Sequence, residues 1–266
     1  MHLEIAENSC SKSSEMKRIN QQPESNAPHS AADLQCFYRA RFGANYEYRQ
    51  RVWSVLSQFF SRWIFPESDV LDLGCGWCEF INSVKCRRRF GMDLNPDAKR
   101  FANPGVHILE QDCSAPWGVD AESLDVVFTS NFLEHLPTKA ALQNTLLQAH
   151  RALRPGGCFI AMGPNIRCVP GAYWDFFDHY LPLTELSLGE ILEKCGFHVE
   201  FRRARFLPYT MSRGTQYPVW LLRAYLLVPM LWRVRGAQFL VVARKAQPVP
   251  HSRSSDESDR TEQSAL

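Results

Sequence analysis

The run VLDLGCGWCEF, residues 70–80, constrains this chain more than any other stretch. A short apolar segment leads into Gly74 and Gly76, with Asp72 set inside it. Glycines directly after a strand let the backbone turn tightly and approach a ligand closely. The dinucleotide pattern G-x-G-x-x-G calls for a third glycine at position 79, where this chain has Glu79. The loop reads as a ligand-binding turn that does not by itself name its ligand.

Strand-like and helix-like segments alternate around the loop. Tyr46, Val52, Val55 and Phe59 recur near helical spacing and predict a helix over 37–63. Apolar runs predict strands at 70–73, 89–94, 106–111, 124–130, 158–162, 197–205 and 238–243. A helix at 78–86 follows the glycine loop. Asn95-Pro96 reads as the N-cap and first position of another helix. Leu142, Leu146, Ala149 and Leu153 share one face of a helix over 138–153, which Pro155-Gly156-Gly157 stops. Ser187 with Glu190 reads as a capping box for a helix over 188–195, closed by Gly196. Such alternation predicts an α/β fold, a mainly parallel sheet covered on both faces. Residues 1–35 and 246–266 are rich in Ser, Pro, Gln and charge, and are expected to be disordered tails around one domain at 36–245.

Composition excludes several classes. A net charge of +2 is too small to point to nucleic acid, and no nucleic-acid module is evident. No run of about 18 apolar residues is present, so no membrane-spanning helix is expected. The opening MHLEIAENSC lacks the basic start and apolar stretch of a secretory leader. The nine cysteines are odd in number and scattered, which argues against a disulfide framework and for a cytoplasmic protein. Cys75 and Cys78 have no second pair at zinc spacing and read as packing thiols.

In a parallel sheet the ligand lies at the carboxyl ends of the strands. Asp93 ends the second predicted strand, where a carboxylate can accept hydrogen bonds from two ribose hydroxyls. Asp112 and Cys113 end the third, where a carboxylate and a backbone N–H can read an adenine edge. Thr129, Ser130 and Asn131 end the fourth.

Together VLDLGCG (70–76), GMDLNP (91–96), EQDCS (110–114), DVVFTSNFLEHL (125–136) and RALRPGG (151–157) resemble the class I S-adenosylmethionine-dependent methyltransferases. The likeness covers roughly residues 40–245 and is nearest to the bacterial type 11-like subgroup with EHL and LRPGG signatures. It implies a Rossmann-like, mostly parallel seven-stranded sheet with helices on both faces, and S-adenosyl-L-methionine as cofactor. In such enzymes the first loop holds the methionine part, which maps to Asp72, Gly74, Cys75 and Gly76. The resemblance assigns Asp93 and Leu94 to the ribose, Asp112 and Cys113 to the adenine, and Asn131 and Phe132 to the inner face. Cys78 departs from the glycine common there. Related quinone-pathway enzymes hold a divalent metal on acids beside the EHL histidine. Asn131 stands where one of those acids is needed, so no metal is expected.

The acceptor is read from residues 163–187, which carry Tyr173, Trp174, Asp175, Asp178, His179 and Tyr180. Aromatic faces with acids and a histidine suit a sugar-like molecule. His179 is the preferred general base, oriented by Asp175 or Asp178, and His135 is a second candidate. The expected reaction is O-methylation of a sugar, a glycan or a lipid-linked intermediate. A quinone-like or other small metabolite is the alternative acceptor. A nicotinamide-dependent oxidoreductase is disfavoured by Glu79 and Asp112; a non-catalytic relative would bind cofactor without turnover.

A basic, apolar insertion occupies 208–236. From 201 to 255 there are ten Arg or Lys and no Asp or Glu. Residues 219–232 are nearly all apolar, yet fourteen helical residues span only about 21 Å, too short to cross a bilayer. Four roles fit: a lid, a homodimer element, an arginine pocket for a phosphorylated acceptor, or a peripheral membrane contact. In the last, Trp220, Tyr225 and Trp232 would anchor and arginines would face anionic lipid.

Overall fold

The computed structural model describes residues 31–209 and 216–247. Seven strands form one sheet: β1 (Asp69–Leu73), β2 (Arg88–Met92), β3 (Val106–Leu109), β4 (Leu124–Ser130), β5 (Leu153–Pro164), β6 (Phe197–Arg203) and β7 (Gln238–Lys245). Their order is β3-β2-β1-β4-β5-β7-β6. The first five strands run parallel, and β7 lies antiparallel between β5 and β6. This is the expected mostly parallel seven-stranded sheet. Chain order reverses between β1 and β4, where such sheets open a crevice at their carboxyl edge.

Every residue of β1 is buried, as a central parallel strand requires. Its side chains alternate between two cores. Val70, with Phe128 and Ile160, meets α2 (Tyr46–Phe60) and α3 (Glu79–Ser83) on one face, through Trp53, Leu56, Phe60 and Phe80. Leu71, with Val127 and Phe159, meets α5 (Lys139–Ala152) and α6 (Glu185–Lys194) on the other, through Leu142, Leu146, Leu188 and Leu192. Each fully buried Leu or Phe contributes about 1.5–3 kcal/mol, so these layers fix the register of the strand ends.

Several local expectations shift. The first helix, α1, begins at Ala31 and ends at Phe42, so residues 31–35 are helical rather than tail; of the two expected tails, residues 1–30 and 248–266 lie outside the described residues. The helix expected over 37–63 is broken by a 3-10 turn at Gly43–Asn45. Asn95 is no helix cap: its side-chain oxygen accepts the Asp97 N–H at 3.0 Å, its carbonyl accepts the Ala98 N–H, and α4 (Ala98–Phe101) starts later. The LRPGG run is itself extended, Leu153 pairing with Leu124 before the register shifts, so β5 begins five residues early. Thr184 caps α6: Ser187 N–H donates to the Thr184 hydroxyl and Thr184 N–H to that of Ser187, each at 3.0 Å. Ser187 is therefore the third helical residue and not the cap.

The insertion forms α7 (Val219–Leu227) and α8 (Pro229–Arg235), broken where Pro229 cannot continue the preceding turn. Leu226 and Trp232 pack into the α2 side of the core, Trp232 against Phe59 and Phe206. Trp232 and Tyr225 face inward, the indole N–H donating to the Tyr225 carbonyl and the Tyr225 hydroxyl to the Phe206 carbonyl. Of the three expected anchors only Trp220 projects outward, at 63% exposure. No helix among the described residues is long and apolar enough to cross a membrane.

Candidate active site

A cavity of about 490 Å³ opens at the carboxyl ends of β1, β2 and β4. Asp72, Gly74, Cys75, Gly76, Asp93, Leu94, Asp112, Cys113, Asn131 and Phe132 all line it. They come from the ends of four different strands, and the sheet brings them around one space.

The loop after β1 owes its shape to left-handed backbone. Gly74 has φ +71° and Gly76 φ +51°, and a Cβ on Gly74 would lie 2.2 Å from the Phe132 ring. The ring thus closes over a backbone that has no side chain there. Cys78 also adopts a left-handed conformation, with φ +62°, the region that glycine occupies at least cost. Its thiol is fully buried, 3.4 Å from the Ala98 carbonyl and 3.9 Å from the Cys75 sulfur. Glu79, in place of the third glycine, is buried and receives the Arg49 Nε at 2.6 Å, tying α2 to the loop.

Asp93 is held from both sides. One oxygen accepts the Gly76 N–H at 2.7 Å and the other the Asn95 N–H at 2.8 Å. Each oxygen keeps a further lone pair for a ligand hydroxyl. Burial raises its pKa against the pull of those two bonds. Asp72 is raised well above the carboxylate range by burial, then by Glu79 and Asp93. At Asp112, Oδ1 takes both the N–H and hydroxyl of Ser114 at 2.8 Å, which fixes the side chain and leaves Oδ2 to a ligand.

At the far end lie Glu134, His135, Asp178 and His179. Glu134 is buried, and burial pushes its pKa up to about 7. His135 Nδ1 is 2.8 Å from the Asp178 carbonyl oxygen and 3.3 Å from the Asp178 carboxylate. Burial opposes its protonation, yet the Asp178 contacts and Glu134 carry its pKa upward. Burial, aided by His135, lowers His179 to about 4, so its imidazole is neutral near pH 7. His179 Nδ1 is buried with no hydrogen-bond partner. The two rings meet edge to face, with centroids 4.8 Å apart.

Of the three expected catalytic residues, His135 and His179 line the cavity. Asp175 does not: it is exposed at the end of a 3-10 turn (Ala172–Asp175). The carboxylate that orients a histidine is Asp178, and the ring it touches is His135. Tyr173 is core, with its hydroxyl donating to the Leu181 carbonyl, and Trp174 is 55% exposed. From 163–187 only Phe176, Asp178 and His179 reach the cavity. Sequence reading missed the contribution of α1 and α2: Leu34, Tyr38, Arg41, Phe42 and Arg49 line the near wall, and Tyr38 lies over Gly76. The signal was present in FYRARF, where aromatic and arginine side chains stand just before the first strand. Of the described residues of the insertion, Tyr209 lines the cavity and none of α7 or α8 does.

The cavity carries six acids, Asp72, Glu79, Asp93, Asp112, Glu134 and Asp178, against two arginines, Arg41 and Arg49. Both arginines are already bonded to an acid, Arg41 to Asp178 and Arg49 to Glu79. Four of the acids are left without an arginine, and a ligand with positive charge would favour their ionised forms. A sulfonium with an amino acid tail and a nucleoside fits that surplus and the free oxygens of Asp93 and Asp112.

Comparison with known proteins agrees. A protein of Mycolicibacterium smegmatis named "Probable S-adenosylmethionine-dependent methyltransferase" is 34% identical over 140 residues, 50% of this chain and 52% of that protein. The chain thus spans about half the length of the curated relative it matches. A SAM-dependent methyltransferase of Archaeoglobus fulgidus superposes with a TM-score of 0.57 at 19% identity, over 77% of this chain and 99% of that one. A chain of the complex between the Haloferax volcanii Trm112 methyltransferase activator and a methyltransferase gives 0.58 at 18%, over 79% and 96%. At such identities these structures attest the fold alone. The profile of the methyltransferase domain matches residues 46–200, more than half of the chain, and the chain belongs to that methyltransferase family.

Proposed function

We propose that the protein transfers a methyl group from S-adenosyl-L-methionine to a hydroxyl of a sugar, a glycan or a lipid-linked intermediate. The observation that carries the donor is the convergence of Asp93, Asp112 and the Gly74–Gly76 loop on one acid-rich cavity. Bound there, the donor supplies a sulfonium methyl: its carbon–sulfur bond breaks, the electron pair staying on sulfur, as the acceptor oxygen bonds to the carbon. The chain's work is positioning and proton removal. Asp93 fixes the ribose, Asp112 the adenine, and Asn131 and Phe132 close the inner face. The acceptor lies toward Phe176, Tyr209 and Gln238, which line the histidine end. His179 Nδ1, neutral and free, takes the hydroxyl proton in direct transfer.

The insertion supports a lipid-linked acceptor. Leu227, Met230 and Val234 are 81%, 76% and 74% exposed beside exposed Arg223, Arg233 and Arg235. An outward apolar face flanked by arginines suits an anionic membrane surface. Sedimentation with vesicles of anionic and of neutral lipid tests the contact; no binding to either removes it. Calorimetry with S-adenosylmethionine, S-adenosylhomocysteine and NAD tests the donor. Labelled-methyl transfer to glycan and lipid extracts tests the acceptor, and transfer only to quinone-like metabolites would replace it.

A further inference from the structure

We propose that Gln238 is a specificity residue for the methyl acceptor, its side-chain oxygen taking a hydrogen bond from a second hydroxyl beside the one that is methylated. The acceptor is then a vicinal diol, with one hydroxyl facing His179 and its neighbour facing Gln238. This role rests on the methyl-transfer reading and narrows its acceptor class.

The sheet sets the position. Because β7 is antiparallel to β5, its first residue, Gln238, pairs with Pro164 at the edge where the parallel strands end. The backbone is held on both sides: the Gln238 N–H donates to the Leu207 carbonyl at 2.9 Å, and the Gln238 carbonyl accepts the Phe206 N–H at 2.7 Å. The residue lines the cavity and is only 2% exposed. Its Nε2 donates to the Pro208 carbonyl at 2.9 Å. A carbonyl can only accept, so this bond fixes which end of the amide is nitrogen. Oε1 is the other end, buried with no hydrogen-bond partner.

A buried acceptor without a donor is costly, and folded proteins keep few. The contact with Pro208 uses only Nε2, so it does not account for the oxygen. His179 Nδ1 is another buried, unpartnered atom of a cavity-lining residue. Ring contacts join the two residues around one end of the cavity. Pro208 precedes Tyr209, whose ring lies 6.1 Å from that of Phe176, and Phe176 stacks on His179 at 5.0 Å. Aromatic rings between two unpaired polar atoms suit a molecule with an apolar face and two hydroxyls. In the transfer, the hydroxyl at His179 gives its proton to Nδ1 and gains the methyl. The hydroxyl at Gln238 donates to Oε1 and is unchanged. An ether oxygen cannot donate, so a product turned to present its remaining hydroxyl to His179 would leave Oε1 unpaired. One methyl per diol follows.

The test uses the full chain, labelled S-adenosylmethionine and two probe pairs: vicinal cyclohexanediol with cyclohexanol, and catechol with phenol. The first pair reads a sugar-like diol, the second an aromatic one. In at least one pair the diol should be preferred about a hundredfold or more in kcat/KM, since a site built to bond a hydroxyl rejects the analogue that lacks it. Gln238→Met, of similar volume, should cut that preference below about tenfold. Gln238→Asn, which draws the amide back by one carbon, should lower it in the same direction. A change that only loosened the Pro208 loop would slow both members of a pair alike. The assignment is overturned by a preference equal in wild type and both variants, by a monohydroxyl probe methylated as fast as its diol, by two methyls on one diol, or by transfer to neither diol. Calorimetry with S-adenosylhomocysteine separates the failures. If it binds the unsubstituted chain, only the role of Gln238 falls; if it does not, the methyl-transfer reading falls as well.

Discussion

Arg41 and Asp178 hold each other through two hydrogen bonds, at 2.8 and 2.6 Å, across 137 residues of chain. Asp178 in turn contacts His135, so α1 is fastened to the histidine end of the cavity through one carboxylate. The pairing keeps the Asp178 carboxyl far below its ordinary range: burial works against this, and His135 and Arg41 outweigh it. The Arg41 guanidinium also lies 5.0 Å from the Phe176 ring centroid, on the ring that stacks with His179.

Arg41→Met should therefore release α1 from the cavity wall and disturb His135 together. The expected outcome is a several-fold rise in the KM for both substrates with a smaller fall in kcat. In a double-mutant cycle with Asp178→Asn, the two changes should couple by about 1 kcal/mol or more, because each removes the same contact. Additivity within a few tenths of a kcal/mol would show that the pair carries no joint role.

Gly74→Ala is expected to abolish donor binding. The added Cβ meets the Phe132 ring at 2.2 Å, and a left-handed conformation costs an alanine about 1–2 kcal/mol besides. The double variant Gly74→Ala/Phe132→Ala removes the clash and keeps the backbone cost. It should regain part of the donor affinity measured by calorimetry. Wild-type affinity in the single variant would mean that the loop adopts another conformation with ligand.

The strand ends were legible because the pattern is local. An acid or amide ending a short apolar run is visible without knowing what it faces, and Asp93, Asp112 and Asn131 all follow it, whereas Asp72 sits inside its strand. What stayed hidden depends on distant pairing. In AADLQCFYRARF arginines interrupt the apolar positions, so α1 shows little amphipathic signal, and its partner Asp178 lies far along the chain. Asp175 and Asp178 are equivalent candidates in sequence; only the turn at Ala172–Asp175 decides which one faces inward. The insertion is apolar on nearly every side, so periodicity could not say that Trp232 packs and Met230 is exposed.

Cys78 offers a balance of two small terms. Cys78→Gly relieves the left-handed backbone at φ +62° but leaves a void where a fully buried thiol sat. The two effects should nearly cancel, with stability changed by less than about 1 kcal/mol. Cys78→Ala keeps the backbone cost and loses the sulfur, so it should be the less stable of the two. The thiol does not line the cavity, so donor affinity should hold in both. A tenfold loss of affinity in Cys78→Gly would assign the thiol a part in shaping the loop.

Acid sensitivity should trace to Asp69 at the opposite end of the sheet. Its side chain is fully buried, and Arg87, Arg88 and Arg154 bond to it. The Arg88 hydrogen bond is the largest influence; with Arg87 and Arg154 it outweighs burial and holds the carboxyl well below its usual value. A depressed folded pKa gives stability that is fully present above the unfolded value near 4 and lost as pH falls through the folded value. Asp69→Asn should cost about 1–3 kcal/mol at pH 7, moderated because the three arginines are 33–56% exposed to solvent. The gap between wild type and variant in thermal melting should then shrink below about pH 4, where the Asp69 carboxyl of the unfolded wild type takes up a proton while the folded one stays ionised. A gap that stays constant from pH 7 down to pH 2 would place the effect in packing and not in the charge of Asp69.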